Sequence, residues 1–534
     1  MSRRRLLALA TALVLLAGAC AGNELRSEVA DRAARTRATT TTEASPGPTS
    51  APATTTTTAP VSEADPPSAA SGFPPNWTPK KIAWQPCDTD PEAQCGDLVV
   101  PLDWAQPGGD QIRLAVGRYR HTGSGERIGA LFMNPGGPGG SGLDFLFGNP
   151  FKGAVASKFD LVSWDPRGVG QSANLDCGNG VTDFLVNDPD PDTAAEQARI
   201  ETTSTAALAD CSTTPDAAKL LSHIGTDDTA RDLEALRIAL ADKRLNYMGF
   251  SYGTYIGERY LALFPTHVRT MVLDGVVDPT AGLVGLLTGQ TTAMTSALDR
   301  ILASCSKNKK CKIKGDPSAL YDRVKARVEI DPLATDDPDH SVGPAEFSVA
   351  TVAATYDPGS WTDLLTALDD ADRADSGQAL WDLAQSYYDV ADWPAYSAIT
   401  CLDMPHPNGL SDYKAFVDTL RTASPRLGGS IGNEMLPCAT WPVPIEDHTG
   451  VVTGEGGPDT VVVGNTGDAA TPYDWAQKVA HMLTKGHLVT YRGEGHTSYG
   501  RDPCIDAIVN AYLISVKVPA DGATCSGGAG SAGV

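Results

Sequence analysis

The sequence predicts an α/β protein: a mostly parallel sheet with helices on both faces, interrupted by an inserted, mainly helical cap. Three observations carry this. Short, nearly unbroken apolar runs such as "RIGALFMN", "FDLVSWD" and "VRTMVLDGVV" read as strands buried on both faces. They alternate with amphipathic helical stretches such as "YGTYIGERYLALF". Residues 280–457 show helical periodicity with no comparable strand series.

In chain order, residues 1–20 read as an export signal: Arg3-Arg4-Arg5, the apolar run Leu6 to Leu16, then small residues before Cys20. That run is shorter than an ordinary membrane span. "LAGAC" resembles a bacterial lipoprotein cleavage box, in which Cys20 is lipidated; a plain secretory cut is the alternative. Residues 21–78 are dominated by Thr, Pro, Ser and Ala and read as a disordered tether, which at ~55 residues spans ~40 Å.

Residues 79–279 form the first part of the sheet domain. "GDLVVPLDW" and "QIRLAVGRYR" suit an antiparallel opening pair. Thr226-Asp-Asp opens a helix with acids in its first turn, and "RLNYMGF" is the next strand. The insertion, residues 280–457, includes "AGLVGLLTGQTTAMTSALDRILASC", "SWTDLLTALDDA" and "DYKAFVDTLRT". Residues 458–534 complete the sheet with the strands "DTVVVGNTGD" and "HLVTYRG", the last helix "CIDAIVNAYLI" and a C-terminal tail.

A formal net charge of −23 leaves no large basic surface and argues against nucleic acid as a partner. Of eleven cysteines, setting Cys20 aside leaves ten, an even set for an oxidising compartment. Sequential pairing is the simplest expectation: Cys87–Cys95, Cys177–Cys211, Cys305–Cys311, Cys401–Cys438 and Cys504–Cys525. The spacings of zinc sites are missing, and neither a metal nor a cofactor is expected.

"GFSYG", Gly249 to Gly253, is G-x-S-x-G between a strand and a helix, the context in which the motif marks a nucleophile, Ser251. A serine needs a base, and the base an orienting acid. His496 in "YRGEGHTSYG" is the one histidine at the carboxyl end of a late strand, where open α/β sheets keep their sites. Asp468, in a glycine-bounded loop after the preceding strand, is the favoured acid; Asp274 is the second candidate, more plausibly fixing the strand–cap turn.

The loop "MNPGGPGGSG" contains a literal G-x-G-x-x-G, and "DLVSWD" ends in Asp165 where a dinucleotide fold keeps its ribose-binding acid. That reading leaves Ser251, Asp468, His496 and the export signal without purpose. An oxyanion hole uses the loop better: the N–H of Tyr252 is one donor, Gly137 supplies the other, and Gly136 shapes the turn. Asp165 and Arg167 then brace the site.

With these residues in place, the chain resembles the secreted bacterial tripeptidyl aminopeptidases and their cell-envelope relatives. These are proline-iminopeptidase-like serine peptidases of the α/β-hydrolase superfamily. The likeness runs from Cys87 to Cys525 and rests on motifs such as "CGDLVVPLDW", "DLVSWDPRGVGQS", "MGFSYGTYIGERY", "AITCLDMP", "CATWPVP" and "GNTGDAATPY". It implies an α/β-hydrolase fold with the family's triad on Ser251, Asp468 and His496. It also implies release of short peptides from a free N-terminus, with a carboxylesterase of the cell envelope as the alternative. Peptide substrates or short esters are the expected partners, and the membrane is met only through a lipid anchor. The protein is expected to be a monomer outside the cytoplasmic membrane. An exopeptidase must hold the substrate ammonium, commonly with a buried carboxylate; Asp403 in "AITCLDMP" and Glu258 on the nucleophile helix are the candidates.

Overall fold

The computed structural model describes residues 71–148, 151–175, 177–209, 211 and 215–527. The export signal, Cys20 and most of the expected tether lie outside them. The main sheet has ten strands: β1 (Gln85–Pro86), β2 (Gln94–Pro101), β3 (Gln111–Tyr119), β4 (Gly129–Asn134), β5 (Phe159–Trp164), β6 (Leu245–Phe250), β7 (Val268–Asp274), β10 (Thr460–Gly467), β11 (Gly486–Glu494) and β12 (Ala523–Ser526). A separate two-stranded ribbon, β8 (Leu333–Ala334) with β9 (Ser341–Val342), lies within the insertion. The strand order is β1-β2-β3-β5-β4-β6-β7-β10-β11-β12. Pairing is antiparallel from β1 through β3 to β5 and parallel from β5 to β12.

Every residue of β4, β5 and β6 is buried, as their unbroken apolar runs require. Alternate side chains feed two cores. Ala130, Phe132 and Val462 join one with the helix Thr226–Ala239; Leu131, Met133, Val461 and Val463 join the other with the helix Pro503–Ser515. A period of two along each strand produces this split.

Between β7 and β10 the chain runs through helices from Gly282–Ser304 to Gly428–Glu434, then an irregular stretch back to the sheet. Three further helices, Gly180–Leu185, Ala194–Ala209 and Pro215–Leu220, stand between β5 and the helix Thr226–Ala239, a stretch for which the sequence pattern predicts no elements. The longest is half polar with a thin apolar stripe of Ile200, Ala207 and Leu208, and the other two are six residues each, so their pattern is weak. The disulfides are Cys87–Cys95, Cys177–Cys211, Cys305–Cys311, Cys401–Cys438 and Cys504–Cys525. Among the described residues no helix is long and apolar enough to cross a membrane.

The expected tether, drawn to residue 78, ends too late. Phe73 is buried, stacked on Trp104 at 4.8 Å and edge-on to Phe264 at 5.8 Å, and Trp77 packs on the same core. Two large aromatic side chains with an apolar surface to cover outweigh the low-complexity composition just upstream.

Arg167 does not reach the active loops as the sequence suggested. Its guanidinium, fully buried, donates to Asp232 at 2.7 and 2.8 Å, to Asp228 at 3.3 Å and to the carbonyls of Leu102 and His223. It fastens the end of β2 to the helix Thr226–Ala239. Arg167→Leu would leave the fully buried Asp232 carboxylate with no cationic partner and only Trp104 Nε1 as a side-chain donor, while Asp228 keeps Arg231. We expect it to cost about 3–5 kcal/mol of stability, read from the denaturant midpoint.

Candidate active site

β6 ends at Phe250 and a helix, Tyr252–Leu263, begins two residues later, so the chain turns on Ser251 alone. Ser251 adopts φ 53° and ψ −127°, a strained conformation for a non-glycine residue. Its surroundings hold it there. The Ser251 N–H donates to the carbonyl of Asp274 at 3.0 Å, and the N–H of Thr254 donates to the Ser251 carbonyl at 2.8 Å. The flanking glycines leave room for the reversal. A Cβ on Gly249 would lie 2.2 Å from the Gly253 carbonyl oxygen, and one on Gly253 would lie 2.5 Å from that of Asn134.

The parallel register carries the other groups to the same edge. Phe250 pairs with Asp274 and Asp274 with Val463, while Gly467 stands opposite Glu494. Asp468 follows β10 with its carboxylate fully buried. Oδ1 accepts from the N–H groups of Ala470 and Thr471 at 3.0 and 2.9 Å. His496 follows β11, and its Nδ1 lies 3.0 Å from both Asp468 oxygens. A carboxylate there favours the tautomer protonated on Nδ1, leaving Nε2 to accept a proton. Nε2 is buried and has no hydrogen-bond partner among the described residues, Ser251 included. In an unliganded serine–histidine site that bond commonly closes only with substrate in place.

The histidine loop is tied to the nucleophile turn through β7. The Asp274 carboxylate accepts from the N–H groups of Ser498 at 3.0 Å and Tyr499 at 2.8 Å, and its carbonyl receives Ser251. Its expected role at the strand–cap turn is therefore replaced by a hold on the histidine loop. Burial pushes the Asp274 carboxyl up to about 6, with the two amides pulling the other way. A Cβ on the next residue, Gly275, would sit 3.1 Å from His496 Cε1. From the cap, the Tyr356 carbonyl accepts the His496 N–H at 2.9 Å, and its ring stands edge-on to the imidazole at 5.4 Å.

The glycine loop leaves β4 and lies against the serine turn. A Cβ on Gly136 would be 2.5 Å from the Phe250 carbonyl oxygen and 2.7 Å from the Tyr252 nitrogen. The Gly136 N–H is used by Asn134 Oδ1 at 2.9 Å, so Gly137 is the next amide along the loop. Tyr252 opens its helix, where an N–H has no intrahelical acceptor. Asp165 is fully buried, accepting from Ser141 Oγ at 2.7 Å, Leu143 N–H at 3.1 Å and Gln171 N–H at 2.8 Å. It braces the exit of the loop and has no exposed surface to meet a ribose.

The two sequence candidates for an ammonium anchor are both sealed. Asp403 has no exposed surface and is occupied by Thr226 N–H at 3.0 Å and Tyr252 Oη at 2.8 Å; burial pushes its carboxyl up to about 6, against those donors and the nearby His448. Glu446 and His448 stand close by and pair with each other at 3.0 Å, so this acidic group is satisfied from within. Glu258 is fully buried with no hydrogen-bond partner on either oxygen among the described residues, and burial holds its carboxyl well above the usual range.

The residue that sequence reasoning missed is Glu434, a lone acid at the end of the otherwise uncharged helix Gly428–Glu434. It lines a cavity with Phe184, Val349, Tyr387, Tyr388 and Ile431. Tyr396 Oη donates to it at 2.5 Å, and burial raises its carboxyl. The aromatic series Tyr356–Tyr387–Trp393–Tyr396, with centroids 5.6, 5.5 and 5.0 Å apart, leads from His496 to that acid.

A family model described as "TAP-like protein" matches residues 424–525. The chain is 36% identical over 488 residues to the protein named Serine protease Hip1 of Mycobacterium tuberculosis (strain H37Rv), covering 85% of this chain and 91% of that protein. It is 34% identical over 475 residues to the Tripeptidyl aminopeptidase of Streptomyces lividans, covering 83% and 86%. To the protein named Carboxylesterase B of Mycobacterium tuberculosis (strain H37Rv) it is 32% identical over 460 residues, covering 81% and 86%.

Two outcomes are expected from the geometry. Gly136→Ala drives a methyl into the serine turn, and labelling of Ser251 by a fluorophosphonate should slow by about 100-fold or more. Burial holds the Glu258 carboxyl well above the ordinary glutamate range, so the folded chain keeps this proton to higher pH than the unfolded chain does. Wild-type stability should therefore fall as pH rises through that window, by up to ~1 kcal/mol per unit. Glu258→Gln removes that slope, so its melting temperature should gain on wild type as pH rises above the ordinary glutamate range.

Proposed function

The chain belongs to the tripeptidyl-aminopeptidase-like serine hydrolases of the α/β-hydrolase superfamily, and from that premise we propose that it releases short peptides from a free N-terminus through an acyl-enzyme on Ser251. The observation that carries this reading is the Asp468–His496 pair, which leaves a buried, unpaired Nε2 at the strand edge that holds the serine turn.

In this mechanism Ser251 Oγ attacks the scissile carbonyl carbon as its proton passes to His496 Nε2. The imidazolium is stabilised by Asp468, whose carboxylate also orients the ring. The carbonyl oxygen, now an anion, is received by the N–H groups of Tyr252 and Gly137. His496 returns the proton to the leaving amine. Water, deprotonated by the same nitrogen, then releases the acyl group and restores the hydroxyl.

Glu434 takes the place of Asp403 and Glu258 as the anchor for the substrate ammonium. It lines a cavity rather than being sealed, and a series of contacting aromatic rings runs between it and His496. An arriving ammonium would favour the ionised form of a carboxyl whose protonated form burial favours. The apolar side of that cavity, Phe184, Val349 and Ile431, favours one second reading, a carboxylesterase with the same catalytic groups.

The five disulfides suit an oxidising, extracellular or envelope location. Our reading adds export by residues 1–20, a lipid on Cys20 and a monomeric form.

The test compares a free tripeptide anilide, its N-acetylated form and a short acyl ester. The aminopeptidase reading expects acetylation to abolish turnover, and Glu434→Gln to raise KM for the free peptide at least tenfold while leaving the ester unchanged. Ester turnover far above peptide turnover, indifferent to Glu434, would establish the esterase instead. Ser251→Ala and His496→Ala should each lose nearly all turnover with the fold intact, because the two act as a unit.

A further inference from the structure

One cap helix, Trp393–Asp403, touches the glycine loop two residues beyond Gly137 and, at its other end, the side chain of Tyr252. It starts at Asp392, whose side chain caps it by accepting from the Ala395 N–H at 3.2 Å. The Asp392 N–H donates to the Gly139 carbonyl at 2.9 Å. Contact there is backbone to backbone: a Cβ on Gly139 would lie 2.6 Å from the Asp392 oxygen and 3.1 Å from the Tyr396 nitrogen.

Roughly 16 Å away along the helix axis, its last residue, Asp403, grips the side chain of Tyr252. The carboxylate accepts from Tyr252 Oη at 2.8 Å, from the Thr226 N–H at 3.0 Å and from Thr226 Oγ1. Thr226 Oγ1 also lies 2.7 Å from Tyr252 Oη. This end of the helix is itself fastened to the cap by the Cys401–Cys438 disulfide and by the Glu446 N–H, which donates to the Leu402 carbonyl at 2.9 Å. Tyr252, Thr226 and Asp403 are all buried.

We propose that Asp403 is a positioning residue for the oxyanion hole: by holding the phenol of Tyr252 it sets the direction of that residue's N–H, and through its helix it couples the cap to that donor and to the glycine loop. The inference rests on the acyl-enzyme reading above. The physical argument is leverage. Tyr252 stands at the first position of its helix, so its amide is not fixed by an intrahelical bond. Anchoring the far end of a rigid ring removes the rotation that the backbone alone would permit. An oxyanion donor works only when it points at the place where charge develops, and small misplacements are costly to rate but not to substrate binding.

A merely structural tie would lower stability and leave the split between rate and binding alone. The test therefore measures kcat and KM on the tripeptide anilide. It also measures inhibition by a peptide boronic acid, which forms a tetrahedral anion on the serine, and by the product tripeptide, which does not. For Asp403→Asn we expect kcat to fall tenfold to a hundredfold and boronate affinity to fall by a similar factor, with KM and product inhibition changed less than about twofold. Tyr252→Phe removes only Oη and keeps the backbone N–H; the same pattern is expected at about tenfold, and it decides the matter alone if Asp403→Asn does not fold.

Unchanged kcat in a folded variant overturns the proposal, as does a loss shared equally by boronate and product. A wild type that neither turns over the substrates nor takes a fluorophosphonate on Ser251 would sink the acyl-enzyme reading and this inference together. A wild type that does both, beside unaffected variants, sinks the inference only.

Discussion

Between Phe250 and Tyr252 the chain reverses on a single strained serine, and the surrounding structure is arranged by what that reversal demands. Two glycines must flank it because their absent side chains would strike the Gly253 and Asn134 carbonyls. The glycine loop can then close on the turn to within contact of the Tyr252 amide. β7 ends alongside and supplies the carbonyl that holds the Ser251 N–H. Strain of this kind persists only where neighbouring contacts over-determine it, and here they come from β4, β6 and β7 at once.

Two buried aspartates at the same sheet edge take different work from different surroundings. Asp468 meets the histidine ring and two amides of its own turn, so its charge is directed at the imidazole. Asp274 meets only backbone N–H groups of the histidine loop, so its charge fixes where that loop runs. One orients the ring; the other places the segment that carries it.

The insertion is joined to the sheet domain at the active loops. Tyr356 accepts the His496 N–H, Asp392 donates to the glycine loop, Gln290 donates to the Ala470 carbonyl at 3.1 Å, and Arg300 pairs with Glu494 at 2.8 Å. A cap bonded at these points cannot shift without disturbing the loops beneath it. The position of the insertion and the geometry of the loops beneath it are thus physically linked in this fold.

The sequence by itself determined the parallel strands, the serine turn, the positions of Asp468 and His496 at late strand ends, and cysteine neighbours close enough to pair. Each of these is a local pattern: an apolar period, a glycine spacing, or a short loop after a strand. Tertiary structure alone decided what surrounds Asp274, Asp403, Glu258 and Glu434. Asp403 and Tyr252 are 151 positions apart, and nothing near either predicts that they touch. The packing of Phe73 and Trp77 on Trp104 and Phe264 was equally hidden, because low-complexity sequence ran up to them. A polar side chain's role follows from which groups desolvate it and which satisfy it. Those groups arrive from distant segments, so that role exists only once the chain has folded.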